Sequence, residues 1–292
     1  MRRPPPLLPC LLLAGLLAAG TCAPRVDAQG TAAPDESPVL LAPLAFGRVP
    51  ELPAAPVELA LIRVSAAPDT SVDFPPLPGP VLAAVEQGAF AVHTPDQVKV
   101  LTPEMTGEPS QQLPTPGPDF TLEPDDILLA PDSASLTLRN TGTVSADALL
   151  AAIVPDGTPL PSVSQPGVTV RVLTSGVVDD VPTGRVMLVL GRYSLPPGAS
   201  ADRDGANRGP VLGYAEDGAI DYTLVQGQAD IVAATDGTPT AASGTATTLT
   251  RGDGVVEETG AVGELRNESG APASALFFLV TPVATALIVW AT

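Results

Sequence analysis

The stretch GPVLAAVEQG (79–88) returns as GPVLGYAEDG (209–218), keeping the opening GPVL, the glutamates at 86 and 216, and the closing glycines at 88 and 218. The offset here is 130 residues. Further matches follow at an offset of 127: Asp126 with Asp253, Arg139-Asn140 with Arg266-Asn267, Ala146 with Ala273, and Pro155 with Pro282. Self-similarity at a fixed spacing marks a duplicated unit of about a hundred residues.

The sequence around these matches indicates what kind of unit it is. VELALIRV (57–64) and RVMLVLGRYSL (185–195) are short apolar stretches cut by Gly and Pro, which are strand signals. After the amino-terminal leader, the longest stretch free of Gly and Pro is the twelve residues Thr143–Val154, which disfavours a helical fold. Many short strands at close spacing predict an all-β sandwich or barrel. Residues 29–56 are rich in Ala and Pro without a sustained period and read as an extended arm or linker.

Each unit resembles the cupin family, whose second motif runs Gly, five residues, Pro, one, Gly, two, His, three, Asn. The second copy keeps this spacing from Gly252 through Glu258, Gly260 and Gly263 to Asn267, with Glu258 at the proline and Gly263 at the histidine. The first copy reads Asp125, Pro131, Ser133, Leu136 and Asn140 in the same frame. In the family's first motif a glutamate precedes a glycine by seven residues, and two histidines precede that glutamate. Counting back from Gly88 puts Val81 at the glutamate, with Leu77 and Pro75 at the histidines. Counting back from Gly218 puts Val211 at the glutamate, and two registers remain for the histidines: Gly205 with Asn207, or Asp204 with Ala206.

The resemblance implies two tandem cupin-type double-stranded β-helix (jelly-roll) barrels. The first spans 57–155 and the second 186–282, joined by a linker and joining strand over 156–185 and followed by an apolar carboxyl-terminal strand over 283–292. It also implies that the metal ligands of the family are lost in both copies. The retained glycines permit turns with positive φ, and Asn140 and Asn267 suit turns through local side-chain bonds.

A cupin metal needs neutral imidazoles and a carboxylate converging on one ion. The single histidine, His93, lies beyond the Gly88 turn and away from every ligand position. We therefore expect no metal, no other cofactor and no catalytic residue of the usual kind. In the first barrel Pro75, Leu77, Val81 and Leu136 are bulky enough to fill the interior. In the second barrel Gly205, Asn207, Val211 and Gly263 leave space and one amide, which suits a small neutral ligand. The alternative is a cupin-type enzyme, dioxygenase- or isomerase-like, that works without the usual metal and moves protons with Glu216, Asp217, Tyr214 or Tyr222.

Other short motifs have plainer readings. Asp202-Arg203-Asp204-Gly205-Ala206-Asn207 clusters oxygen ligands but lacks the rest of a calcium loop. Arg251-Gly252-Asp253 falls at the tight turn of the repeat, and Asn267-Glu268-Ser269 is a formal glycosylation sequon at the motif turn. ALFFLVTPVATALIVWAT (275–292) is apolar, but Pro282 divides it, which argues against a membrane span.

With 14 basic and 32 acidic residues the formal net charge is −18, making nucleic acid and anionic membranes poor partners. The barrel edges are available for a homodimer. Residues 1–28 combine Arg2 and Arg3, an apolar run from Leu7 to Ala19, and small residues at Val26 and Ala28, the pattern of a secretory signal peptide. Both cysteines, Cys10 and Cys22, fall within it, so the exported chain has none left for disulfides. Cys22 offers a lipoprotein alternative. Sequencing the mature amino terminus should return Gln29 first, and a lipid-modified Cys22 would replace the secreted assignment with an anchored one.

Overall fold

A computed structural model describes residues 39–102, 110–201, 206–235 and 239–283. The leader, the segment 202–205 and the tail 284–292 lie outside the described residues. The first copy contributes β1 (Leu40–Val49), β2 (Val57–Ala66), β3 (Ser71–Phe74), β4 (Val81–Gln87), β5 (Phe90–His93), β6 (Lys99–Thr102), β7 (Ser110–Gln112), β8 (Phe120–Leu122), β9 (Ile127–Ala130), β10 (Leu136–Arg139) and β11 (Ala146–Pro155). After the short β12 (Val163–Gln165) the series repeats one for one. It runs β13 (Val168–Val178), β14 (Val186–Leu195), β15 (Ser200–Ala201), β16 (Val211–Asp217), β17 (Ala219–Gln226), β18 (Ala229–Val232), β19 (Pro239–Ala241), β20 (Thr247–Thr250), β21 (Gly254–Glu257), β22 (Val262–Arg266) and β23 (Ala273–Pro282).

Each copy builds a large and a small antiparallel sheet. The first barrel pairs β12-β13-β2-β11-β4-β9-β6-β7 with β3-β10-β5-β8, and the second pairs β1-β14-β23-β16-β21-β18-β19 with β15-β22-β17-β20. Successive strands such as β2 and β3, β4 and β5, or β10 and β11 alternate between the two sheets, which is jelly-roll topology. The all-β expectation and the two tandem barrels hold.

The repeat begins earlier than the expected boundaries. Residues 40–49, read as arm or linker, form β1, which pairs with β14 of the second barrel from Leu40↔Ser194 to Val49↔Val186. Within the expected joining segment, β13 pairs with β2 of the first barrel from Val168↔Ala66 to Val178↔Val57. The opening strand of each copy therefore lies on the other copy's barrel. Both carry a register shift at the same place, between Pro43 and Ala45 and between Val172 and Thr174. Such irregularities break strict alternation, which is why β1 shows no period in the sequence.

The turns repeated in the two copies have direct steric causes. A Cβ on Gly79 would sit 1.8 Å from the Ile153 carbonyl oxygen, and one on Gly209 would sit 2.0 Å from that of Val280. Gly88 and Gly218 hold φ of 69° and 75°, and each faces the Ala that opens the neighbouring strand, Ala146 or Ala273, within 3 Å of an added Cβ. Asn140 is fully buried. Its amide donates to Ala66 O and Val144 O at 2.8 and 2.7 Å, and its Oδ1 accepts from Gly142 N at 2.9 Å. Asn267 repeats the arrangement with Leu195 O, Ala271 O and Ser269 N. The Asn267 amide is thus committed to two backbone carbonyls in the folded protein.

The two large sheets pack face to face. Strand alternation sends one set of side chains into each barrel and the other into the seam. Leu59 and Leu61 of β2, Leu82 of β4 and Leu149 of β11 meet Leu188 of β14, Leu212 of β16 and Phe278 of β23 in one buried cluster. At one end of this seam lies a ring of four charges related by the repeat. Arg63 Nη2 reaches Glu86 at 3.2 Å and Glu216 at 2.7 Å, while Arg192 reaches Glu86 at 2.5 Å and Glu216 at 2.6 Å.

Burial raises the Glu216 carboxyl, but the bonds from Arg192 and Arg63 outweigh it and hold it below its ordinary value. The folded protein thus binds that proton more weakly than the unfolded chain does. The stabilisation is present above the unfolded carboxylate value of about 4.3 and is lost as pH falls through the lower folded value. Glu216→Gln should remove about 1–2 kcal/mol near neutral pH, a half-buried pair lying between the exposed and buried cases. It should also flatten the acid limb of a urea-midpoint series taken from neutral to acid pH.

Candidate functional site

Both barrel interiors can be compared position by position. In the first barrel Leu77, Val81 and Leu136 are buried in a continuous core with Ile62, Val92 and Leu128, whereas Pro75 is solvent-exposed. Pro75 was expected to help fill the barrel. It lies just past the end of β3, where the alternation of Val72 and Phe74 turns it outward.

In the second barrel Val211 is buried on β16 and Gly263 is buried on β22, while Asn207 is half-buried and Gly205 lies outside the described residues. The side chains around them differ from their first-barrel counterparts in a regular way. Ile62 opposite Leu150 becomes Gly191 opposite Phe277. Val64 opposite Ala148 becomes Tyr193 opposite Ala275. Val81 opposite Ala130 becomes Val211 opposite Glu257, and Val92 opposite Leu138 becomes Tyr222 opposite Leu265.

The space expected at Gly263 is therefore taken. A Cβ there would lie 2.2 Å from Glu257 Oε1 and 2.6 Å from Tyr222 Cε2. Gly263 accommodates a phenol ring and a carboxylate, so most of the expected space is filled. Asn207, expected to orient a ligand, donates its amide to Glu257 Oε2 at 2.5 Å, and its backbone closes the loop through Ala261 O and Gly260 N at 2.9 and 2.8 Å.

Glu257 is the residue that reading the sequence missed. It is 3% exposed and shares the inward side of β21 with Val255. It sits one position before the motif's proline site, where no family ligand is expected. Alternation along the strand GVVE was the available signal.

A small cavity of about 20 Å³ remains in the second barrel. Gly213, Ala215 and Ala275 of the large sheet face Gly263 and Leu265 of the small sheet across it, with Tyr193, Phe277 and Glu257 among the walls. The Tyr193 and Phe277 rings lie 4.9 Å apart, centre to centre, at 37°. A buried carboxylate thus borders an otherwise largely apolar and aromatic recess.

The other candidates are dispersed. Glu216 belongs to the four-charge ring, and Asp217 is an exposed side chain 3.9 Å from Arg251, so the two form no acid–base pair. Tyr214 packs into the seam between barrels, and Tyr222 packs inside the second barrel. His93 is exposed and meets Asp119 at 2.9 Å on the outer surface. The Asp253 carboxylate accepts from Ala234 N and Thr250 N at 2.9 and 2.8 Å. Burial raises this carboxyl, and those amide bonds outweigh it to hold it below its ordinary value, as befits a turn. Among the described residues no group of three or more His, Cys, Asp and Glu could hold a metal ion, and no helix is long and apolar enough to cross a membrane.

No family model matches the sequence, and no curated protein matches it. Solved structures similar to it include AerE from Microcystis aeruginosa, at 12% identity over 82% of this chain and 99% of that one, with a TM-score of 0.43. A cupin 2 conserved barrel domain protein from Leptotrichia buccalis matches at 13% identity over 81% and 89%, with a TM-score of 0.33. A single-residue mutant of the Bacillus subtilis oxalate decarboxylase OxdC matches at 11% over 77% and 69%, with a TM-score of 0.34. The chain itself folds into two tandem jelly-roll barrels with duplicated glycine and asparagine turns, the architecture that the resemblance to cupins implies.

Proposed function

We propose that this is an exported, non-catalytic bicupin, a structural or binding protein in which the first barrel is a packed unit and any small ligand sits in the second. The observation that carries the reading is the identity of the side chains at the family's ligand positions. Leu77, Val81 and Leu136 join the first barrel's core. In the second barrel Val211 is buried against Met187, Val189 and Phe277, and the space over Gly263 holds Tyr222 and Glu257. Transition-metal sites of this class are built from imidazole and carboxylate together, and aliphatic side chains supply neither.

Export rests on the leader sequence and on a surface suited to solubility. The metal-independent enzyme is the weaker reading. Of the groups it would use, Glu216 is held by two arginines, Asp217 is exposed and Tyr214 faces the other barrel.

Elemental analysis of the dialysed mature protein should find well below one transition metal per chain; about one per barrel would overturn the reading. Paired substitutions test the interiors. Leu136→Gly should cost on the order of 3 kcal/mol, as large core truncations do. Gly263→Leu should also destabilise, by about 2 kcal/mol or more through overpacking against Tyr222 and Glu257. Urea midpoints at unchanged slope would check both. Leu136→Gly without loss of stability would contradict the packed first barrel.

A further inference from the structure

We propose that the apolar tail, residues 284–292, docks on the second barrel by pairing with the exposed outer edge of β1, as β12 pairs with β13. The starting point is an inequality between the copies. Among the described residues the large sheet of the first barrel has eight strands and that of the second has seven, and the strand without a counterpart is β12. It lies outside β13, with Val163, Ser164 and Gln165 opposite Val170, Thr169 and Val168. Their counterparts on the other barrel are Leu41, Leu40 and Val39, because Thr169 pairs with Ser65 and Leu40 with Ser194, equivalent places on β2 and β14. Val170, with Val163 opposite, is 1% exposed, whereas Leu41 is 42% and Leu40 is 62% exposed. An edge strand that presents apolar side chains beside its backbone donors and acceptors is a template for a further strand.

The chain supplies that strand at the matching distance. Just past Pro155, Asp156 N donates to Pro56 O at 3.2 Å, and just past Pro282, Val283 N donates to Arg185 O at 3.2 Å, so both copies leave their last strand alike. In the first copy the Thr158 hydroxyl then donates to Pro155 O at 2.6 Å, and Leu160 packs on the barrel core. At the offset of 127, Thr285 and Leu287 repeat these two residues, and Trp290, Ala291 and Thr292 fall at the places of Val163, Ser164 and Gln165. Pro282, Val186 and Val49 share one end of the second barrel's sheet. A tail starting there runs antiparallel to β1 toward Leu41, the direction that β12 takes along β13. One residue departs from the repeat: Ala284 stands for Gly157, whose φ of 77° disfavours a Cβ. Ile288, Val289 and Trp290 stand for Pro161, Ser162 and Val163 and offer more apolar surface for burial in return.

Trp290 is the only tryptophan, so its fluorescence reports on the tail directly. In the mature protein acrylamide should quench it several-fold less efficiently than in the urea-unfolded chain, by the same factor at every protein concentration. The chain from Gln29 onward has no cysteine, which permits a test of register. Residues directly opposed on antiparallel strands have Cα atoms about 4.5–5.5 Å apart, within disulfide range. Leu40→Cys combined with Ala291→Cys should therefore oxidise to an intramolecular disulfide. Arg48→Cys combined with Ala291→Cys, at the far end of β1, should not. Quenching of Trp290 that is equal in folded and unfolded protein would overturn the proposal. Protection that grows with protein concentration, or a disulfide between chains, would overturn it in favour of a second copy at this edge. Equal crosslinking from positions 40 and 48, or none from either, would overturn it as well.

Discussion

The seam between the two large sheets is the constraint that organises this molecule. A jelly-roll sheet hides one face inside its own barrel, and here the other face is apolar too. Leu59, Leu61, Leu82 and Leu149 on one side and Leu188, Leu212 and Phe278 on the other cannot be left in water without losing about 1.5–3 kcal/mol for each large side chain. Neither barrel is therefore a free-standing unit, and both are completed by docking. Apolar sheet faces slide easily because the attraction between them is non-directional. The Arg63–Glu86–Arg192–Glu216 ring adds direction, since each carboxylate meets arginines from both barrels and a shift of one residue would break every contact.

The exchanged opening strands follow from the same constraint. β1 and β13 each extend a large sheet and run along the seam, and each needs a glycine where it crosses the opposite barrel. A Cβ on Gly47 would lie 3.0 Å from Leu129 Cδ2, and one on Gly176 would lie 2.2 Å from Val256 Cγ2. The two glycines occupy equivalent places in the two copies. Position 45 and its counterpart 174 show how packing diverged around them. Ala45 is buried in the seam, whereas the Thr174 hydroxyl would lie 2.1 Å from a Cβ on Gly254, the position held in the first copy by Ile127. A larger side chain on one strand is matched by a smaller one across the seam.

How much of this was legible depended on whether a feature is local. The turns were readable because a positive φ or a buried carboxamide admits few residue types, so Gly88, Gly218, Asn140 and Asn267 survived duplication in recognisable form. The absence of imidazole at the motif positions was readable for the same reason. Strand exchange was not, because which barrel accepts β1 is decided by faces brought together over more than a hundred residues. The state of Gly263 was not readable either. A glycine replacing a leucine signals lost volume, but what refills that volume comes from Glu257 on β21 and Tyr222 on β17, neither adjacent to Gly263 in the chain.

That refilling explains why the copies diverged unequally. A barrel core must reach native packing density, and it can do so with aliphatic side chains from both sheets or with large residues opposite small ones. The first barrel takes the former course: Ile62 with Leu150, and Val64 with Ala148. The second takes the latter, with Phe277 over Gly191, so close that an added Cβ would sit 2.4 Å from the ring, and Tyr222 beside Gly263. Rings are rigid and fill irregular space less evenly than branched aliphatics, so a large-small exchange leaves residual gaps, and the cavity beside Gly213, Ala215 and Ala275 is such a gap. The recess in the second barrel is thus one outcome of how that core is packed.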